Sequence, residues 1–414
     1  MRVWILQTGE PLQIDSIGMR PMRAINLSNF LINKGHEVTL WSSDFDHFSK
    51  THRYGNSKTI KISNAFTIQL IKSFGYKSHL GIRRIIDHAQ LAWNLRALLR
   101  TKDLPDIAFI GYPPIETAWI MSRFLKKRKV PHVVDVKDAW PQIIIEKFPR
   151  FIRPLIKCLT IPYNAMMKSS LKSSSGLCSI TDEFLDWSLE RTGRNRNSQD
   201  IVVPLTALEA RASEKEIKEA EAFWDSQGVT DDSNPRFYFV GTINDVFDFE
   251  PAIVAARRMG IEFVVAGDGP LRDFWREKTK DLPNFFFPGW ITTAQALVLS
   301  NRSKAALVPV KKRADFAMSI PNKVLDAFRS GKPIVTSLEG VTQRLVTRYG
   351  VGICYSSDDL NDLSTKLLEI TASEFDVKQM SDSAKKLYEN KFESSNAYSN
   401  LVSHLESIAD SSKV

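Results

Sequence analysis

The sequence predicts an α/β chain built on two doubly wound parallel sheets. Short apolar, β-branched runs alternate with longer stretches of helical period. At 414 residues the chain exceeds what one core serves, so two or three domains are expected. The alternation is interrupted once, by an acid-rich, polar stretch around 205–235.

In the first half, strands are expected at 2–7, 37–42, 59–64, 67–71, 106–111, 131–136, 176–181 and 200–204. The helix over 21–34 places Met22, Ile25, Leu27, Phe30 and Leu31 near a 3.6 period, and Gly35 suits the C′ position behind it. Further helices are expected at 82–101, 115–127, 151–173 with a kink at Pro162, and 182–192. The helical stretch 209–227 and the cluster 231–235 read as a connector. A second sheet then begins at 236–241 and continues at 262–266, 284–287, 305–309, 333–336 and 352–355. The expected division is 1–204, a connector over 205–235, 236–375, and helices over 376–414 that could return to the first domain. Two such halves are expected to face each other across a cleft, where wound sheets bind ligands at the C-terminal ends of their strands.

Charge is distributed unevenly. Residues 1–200 hold 30 Lys and Arg against 17 Asp and Glu, a net +13, whereas residues 201–414 hold 26 against 30, a net −4. Residues 51–172 carry 22 basic and 7 acidic side chains, and no acid occurs from Lys147 to Thr181. A basic half suits nucleic acid, an anionic membrane or a phosphorylated ligand. Arg-rich low-complexity tracts are absent, and nucleic acid is not an expected partner. Hydrophobic residues at 43% and charged residues at 25% exclude a globally disordered or collagen-like chain. Cys158, Cys178 and Cys354 lie far apart with no metal-ligand spacing and read as small hydrophobes in a reducing compartment. No run reaches the length of a membrane span, and the opening strand-like run Val3–Leu6 is not followed by a signal cleavage site, so a cytoplasmic protein is expected.

The richest window runs from Ser319 to Val335. Pro321 suits the first turn of a helix, Gly331 suits its end, and Pro333 leads into a buried strand. Such a helix start offers free amides and a positive dipole end to a diphosphate. Ser319, Ile320 and Asn322 line that start, Lys323 adds a full charge, and Asp326 lies three residues on, placed to accept from ribose hydroxyls. An ordinary helix with a solvated Lys–Asp pair is the alternative. Asp44-Phe45-Asp46 fits a metal-binding Asp-x-Asp only formally, since it follows a strand of a wound sheet.

Pro321-x-Lys323-x-x-Asp326 followed by Gly331-x-Pro333 resembles the donor-binding helix of GT-B glycosyltransferases, specifically the retaining group called glycosyltransferase family 4 or group 1. Asp326 stands at the second Glu of that group's Glu-x7-Glu motif, and Met318 replaces the first. Gly241-Thr242, Gly267-Asp268-Gly269-Pro270 and Gly289-Trp290-Ile291 resemble, in order and spacing, its nucleotide-domain turns. The Arg and Lys that many members carry after the first turn are replaced by Asp245–Asp248, leaving Lys311, Lys312, Arg313 or Lys323 to meet the phosphate charge. In the first half, Gln7–Pro11, Arg20–Arg23 and Gly35–Val38 resemble the bacterial O-antigen and capsule subgroup, which includes N-acetylfucosamine-transferase-like members. Asp135-Val136-Lys137-Asp138-Ala139-Trp140-Pro141 resembles that subgroup's Asp-x-Arg-Asp-x-Trp-Pro variant.

The resemblance implies a GT-B fold and a retaining, metal-independent transfer with no cofactor, from a nucleotide sugar, UDP-linked and N-acetylated, to a polyprenyl-diphosphate-linked glycan. Asp138 is the candidate to orient or deprotonate the acceptor, Lys137 to stabilise charge, and Gly18, Arg20 and Arg23 to reach a pyrophosphate from the acceptor side; a structural salt bridge or a solvated Arg pair is the alternative. Arg150, Arg153 and Lys157 flank an apolar face of Phe151, Ile152, Leu155, Ile156, Leu159 and Tyr163 that suits the cytoplasmic membrane surface, or else a core-facing helix with a basic rim. The rival functions are a nucleotide-sugar 2-epimerase of the same fold and a non-catalytic basic membrane-binding protein. Oligomeric state is left open.

Overall fold

The computed structural model describes residues 1–15, 20–77, 81–146, 148–207, 210–230 and 234–412. Two compact units divide the chain: Met1–Pro204 with Ser395–Val414, and Leu205–Ser394. Each holds its own sheet and core, and α/β winding is the architecture of both.

The first unit contains β1 (Arg2–Leu6), β2 (Glu37–Ser43), β3 (Lys58–Lys61), β4 (Phe66–Ile71), β5 (Ile107–Tyr112), β6 (His132–Val136), β7 (Gly176–Ser179) and β8 (Ile201–Val202). Their order across the sheet is β3-β4-β2-β1-β5-β6-β7-β8, and every neighbouring pair is parallel except β3 with β4. β1, β5 and β6 are nearly continuous apolar runs, as strands covered on both faces must be. The strand order reverses between β1 and β5, so the loops after those strands diverge and leave a crevice at their C-terminal ends.

The helix Ser394–Ser411 closes this unit's core, burying Tyr398, Leu401, Val402, Leu405 and Ile408 at helical spacing. Tyr398 meets Phe30 of the Arg23–Asn33 helix with ring centroids 5.4 Å apart. On the same helix Glu406 accepts from His36 Nε2 at 2.8 Å and from Lys34 at 3.0 Å, fixing the turn into β2.

The second unit contains β9 (Arg236–Val240), β10 (Glu262–Ala266), β11 (Phe285–Gly289), β12 (Ala305–Val308), β13 (Ile334–Thr336) and β14 (Gly352–Cys354). All pairs are parallel, in the order β11-β10-β9-β12-β13-β14. Counted from β9 this is 3-2-1-4-5-6, the dinucleotide-fold order, with its switch point between β9 and β12.

Two local expectations are corrected. The stretch 151–173 is not one helix kinked at Pro162 but two, Arg153–Leu159 and Ile161–Ser173, broken at Thr160. Pro162 falls in the first turn of the second helix, where its missing N–H costs nothing. The segment read as a connector carries the helix Glu214–Ser226, which belongs to the second unit. Its acidic residues face water, but Ala220 and Trp224 are buried, and Trp224 Nε1 donates to Gln295 O at 2.8 Å. Ala220 and Trp224, four apart, dock it with Ile217 and Phe223 packed beside them, despite the acidic surround.

Leu401→Ala removes a fully buried side chain from the returning helix and is expected to cost about 2–5 kcal/mol by urea denaturation. A loss below about 1 kcal/mol would show that this helix is not part of the first core.

Candidate functional site

In the second unit the site is built at the tip of β9. The chain leaves β9 at Val240 and turns at Gly241, whose φ of +146° is strained for any other residue. A Cβ at Gly241 would lie 2.2 Å from Lys323 Nζ, and one at Gly267 would lie 2.0 Å from Gly241 O. The turns after β9, β10 and β11 are therefore stacked backbone on backbone. They are joined by Gly241 N to Ala266 O at 3.0 Å, Ile243 N to Asp268 O at 2.8 Å and Gly267 N to Gly289 O at 2.7 Å. Gly269 belongs to the same stack, where a Cβ would come within 2.3 Å of Ile243 O.

The helix Asn322–Arg329 delivers Lys323 to this tip. Val324, Leu325, Ala327 and Phe328 are buried on its core face, which fixes its rotation. Pro321 sits one position earlier than expected, as the N-cap in extended conformation, and Asn322 is the first helical residue. Lys323 Nζ donates to Val240 O at 3.2 Å and lies over the rings of Phe239 and Phe247, 4.4 Å and 4.6 Å from their centroids. These partners, a carbonyl and two π faces, stabilise a cation without neutralising it. Burial pushes the Lys323 ammonium down to about 8, opposed by the nearby Asp326.

The remaining residues expected at the donor site divide by exposure. Thr242 and Trp290 are exposed, Trp290 with 77% of its surface free. The Ile291 and Ile320 side chains are in the core, which leaves their backbones for a ligand. Ser319 O accepts from Thr342 Oγ1 at 3.1 Å, holding the loop before the helix. Asp326 faces Arg329 at 3.5 Å. The acidic turn 245–248 is clamped onto the extension of β12 by Lys311 N to Val246 O and Asp248 N to Pro309 O, both 2.8 Å. Lys312 pairs with Glu339 at 2.7 Å, so among the basic candidates Lys323 is the one buried at the strand tip.

In the first unit, the residues singled out at the ends of β1 and β6 form a compensated network. Glu10, in the loop after β1, receives Lys137 Nζ on Oε1 at 2.6 Å and the helix-start amide of Ala24 on Oε2 at 2.8 Å. Burial works against the Lys137 charge, but Glu10 and Asp135 outweigh it and hold the ammonium above its usual range. Arg23 does not reach outward. Its Nε pairs with buried Asp135 at 2.9 Å, Nη1 donates to Val203 O at 2.9 Å, and Nη2 to Cys178 Sγ at 3.1 Å. Both partners of that ion pair are nearly inaccessible, so the Arg23 charge belongs to the core and not to a ligand.

Asp138 is half-buried just beyond β6, in a turn where Trp140 N donates to Asp138 O at 2.9 Å and the Tyr112 hydroxyl donates to Trp140 O at 2.6 Å. Arg20 is exposed, and Gly18 lies outside the described residues. Asp44 is a structural acceptor, bonded by Tyr54 N at 2.8 Å and Gly55 N at 2.9 Å. Sequence reasoning missed two partners that define these sites: Glu10, whose place before Pro11 in a strand-to-helix loop was a usable signal, and the Phe239–Phe247 ring pair, whose spacing across a turn was not.

The residues expected at a membrane surface are split by the structure. Of the expected apolar face Phe151, Leu155 and Leu159 are strongly exposed, as is Ile161 beside it, whereas Ile152, Ile156 and Tyr163 are half-buried. Arg150 and Lys157 are exposed beside them, whereas Arg153 is tied back to Phe148 O at 2.9 Å and Glu146 O at 3.0 Å.

The depressed Lys323 value carries a sign. Between about 8 and the ordinary lysine value the unfolded chain binds the extra proton, so stability rises with pH across that window. Lys323→Met is therefore expected to raise the melting temperature at pH 7, with the gain shrinking above pH 8 and gone where both states are neutral. A variant no more stable than the parent at pH 7 would show that the buried charge is already compensated.

Residues 234–373 match the family model described as glycosyl transferases group 1, and that span lies in the second unit. No curated protein matches the chain by sequence. Among solved structures, sucrose-phosphate synthase from Thermosynechococcus elongatus superposes with a TM-score of 0.72 at 12% identity, covering 97% of each chain. WaaG, a glycosyltransferase involved in lipopolysaccharide biosynthesis, gives 0.64 at 14% identity over 97% of this chain and 99% of its own. Anabaena Alr3699/HepE in complex with UDP and glucose gives 0.64 at 10% identity over 98% of this chain and 100% of its own. The chain thus carries the GT-B fold of two parallel-sheet domains, with a segment similar to the group 1 glycosyltransferases at the tip where Lys323 is buried.

Proposed function

We propose that the protein is a retaining glycosyltransferase that moves a sugar, an N-acetylated amino sugar, from a UDP-linked donor to a polyprenyl-diphosphate-linked glycan in surface-polysaccharide synthesis. The observation that carries the reading is Lys323, a buried ammonium held by a carbonyl and two rings at the switch point of a dinucleotide-order sheet. That environment keeps a cation waiting for an anion. The group 1 match over the same span, and a neighbour of the same fold solved with UDP, support a nucleotide diphosphate as that anion.

In the proposed reaction the bond between the anomeric carbon and the phosphate oxygen breaks and its electron pair leaves with UDP. The acceptor hydroxyl oxygen forms the new bond on the same face, and its proton passes to the departing phosphate. Lys323 and the amides at the start of the Asn322–Arg329 helix stabilise the charge that builds on the leaving group, so the proposal assigns this work to the protein and to no metal or cofactor. Asp138 orients the acceptor hydroxyl. Lys137, locked to Glu10, sets the charge of the loop that holds Asp138. The proposed place of action is the cytoplasmic face of the membrane, where a lipid-linked acceptor is presented.

The deciding experiment incubates the purified chain with a panel of UDP-sugars and a polyprenyl-diphosphate sugar and weighs the lipid product. A gain of one sugar mass is expected; epimerised donor with no lipid product would overturn the reading. Lys323→Ala is expected to lower kcat/KM by about 100- to 1,000-fold. Asp138→Asn should lower kcat with little change in the KM for donor, and an equal loss in both would remove its acceptor role. Because the Lys323 pKa of about 8 must rise when an anion arrives, UDP binding near pH 8 should take up protons. Binding heats measured in buffers of different ionisation enthalpy test this, and buffer-independent heats would count against the contact.

A further inference from the structure

The first unit contains a cavity of about 690 Å³ that none of the residues discussed for donor or acceptor chemistry occupies. It lies between the loop that ends at Pro141 and the helices Arg153–Leu159, Ile161–Ser173 and Asp182–Thr192, and its basic lining is Arg153, Lys157, Lys168 and Arg191. Glu146 and Glu190 also line it, leaving four cations against two carboxylates.

The cations are not neutralised locally. Arg191 donates to Gln142 Oε1 at 2.7 Å and lies 5.8 Å from the centre of the Trp187 ring, and Arg153 donates to two backbone carbonyls. Gln142 in turn donates to Glu146 at 2.7 Å, so that carboxylate is engaged by an amide. Among the described residues none of the four forms an ion pair with Asp or Glu. Neutral partners fix the positions of the guanidinium groups while leaving their charge for something else.

Two further observations narrow what that is. The volume falls in the range of a small-molecule site and is concave, where a flat basic patch would serve bulk lipid. The Arg153–Leu159 helix that supplies two of the cations also exposes Leu155 and Leu159, with Phe151 and Ile161 at its two ends. Phosphate-binding chemistry thus adjoins uncovered hydrocarbon, and the loop on the cavity's other side is three residues from Asp138.

We propose that this cavity binds the diphosphate head of a polyprenyl-diphosphate lipid, with the exposed apolar residues of the Arg153–Leu159 helix seated against its hydrocarbon. The inference rests on the transferase reading, whose acceptor it gives an address.

Retention of the full chain on neutral vesicles carrying a small fraction of polyprenyl diphosphate is compared with retention on vesicles carrying phosphatidylglycerol at matched charge, without nucleotide sugar present. The wild-type chain should prefer the diphosphate vesicles and be displaced from them by inorganic pyrophosphate. Lys168→Ala and Arg191→Ala should each weaken the preference about fivefold, and Lys168→Arg should keep it. Equal retention on the charge-matched vesicles, or no displacement by pyrophosphate, overturns the proposal and leaves only surface charge. Melting temperature checks the variants, and if an alanine variant melts early, Lys168→Arg and pyrophosphate displacement of the wild type decide. Sugar transfer without the lipid preference overturns this site alone. The preference without transfer from any UDP-sugar overturns the transferase reading and leaves a lipid-diphosphate site.

Discussion

The site in the second unit depends on a contact that leaves no room for a side chain: the ammonium of Lys323 lies 2.2 Å from where a Cβ on Gly241 would be. The contact is possible because Gly241 is held at positive φ, and Gly241 is in turn backed by Gly267, whose own missing Cβ lets the two turns touch through backbone. Phe239 on β9 and Phe247 beyond it close the remaining sides with ring faces. The lysine is thus buried without a matching carboxylate contact, at a cost in stability that the parallel sheet beneath it must absorb.

The two units use the tips of wound strands for opposite electrostatic ends. At the tip of β9 a cation is kept available. At the ends of β1 and β6 each cation has its carboxylate, Lys137 with Glu10 and Arg23 with Asp135. A compensated network holds geometry and is insensitive to a passing anion, while an uncompensated one responds to it. Under the proposed transfer, that contrast suits a donor site that meets phosphate charge and an acceptor side that positions a neutral hydroxyl.

Much of this was legible in the sequence because it is written in local periodicity. The alternation of apolar runs and helical stretches located the fourteen strands of the described residues to within a few positions, and Pro321, Lys323 and Gly331 marked their helix through start and stop chemistry that acts over one or two turns. What was not legible depends on distance along the chain. Nothing near Arg23 signals that Asp135, 112 positions away, takes its charge. The acidic helix Glu214–Ser226 looked like a solvated connector because its docking residues, Ala220 and Trp224 with Ile217 and Phe223 beside them, are outnumbered on its own surface. The basic run 147–172 gave its charges and its apolar face separately. Only the break at Thr160 shows how Lys157 and Lys168, on different helices, come to line one cavity.

The helix Ser394–Ser411 sets an order of events. Its buried face completes the core formed by Met1–Pro204, yet it is translated only after the whole of Leu205–Ser394. On the ribosome the second unit can therefore close while the first still exposes the surface around Phe30 and Leu31, because the residues that cover it have not been made. The half of the protein that begins the chain is the half that finishes folding last, and a ribosome stalled anywhere in the second unit leaves the first with an open core.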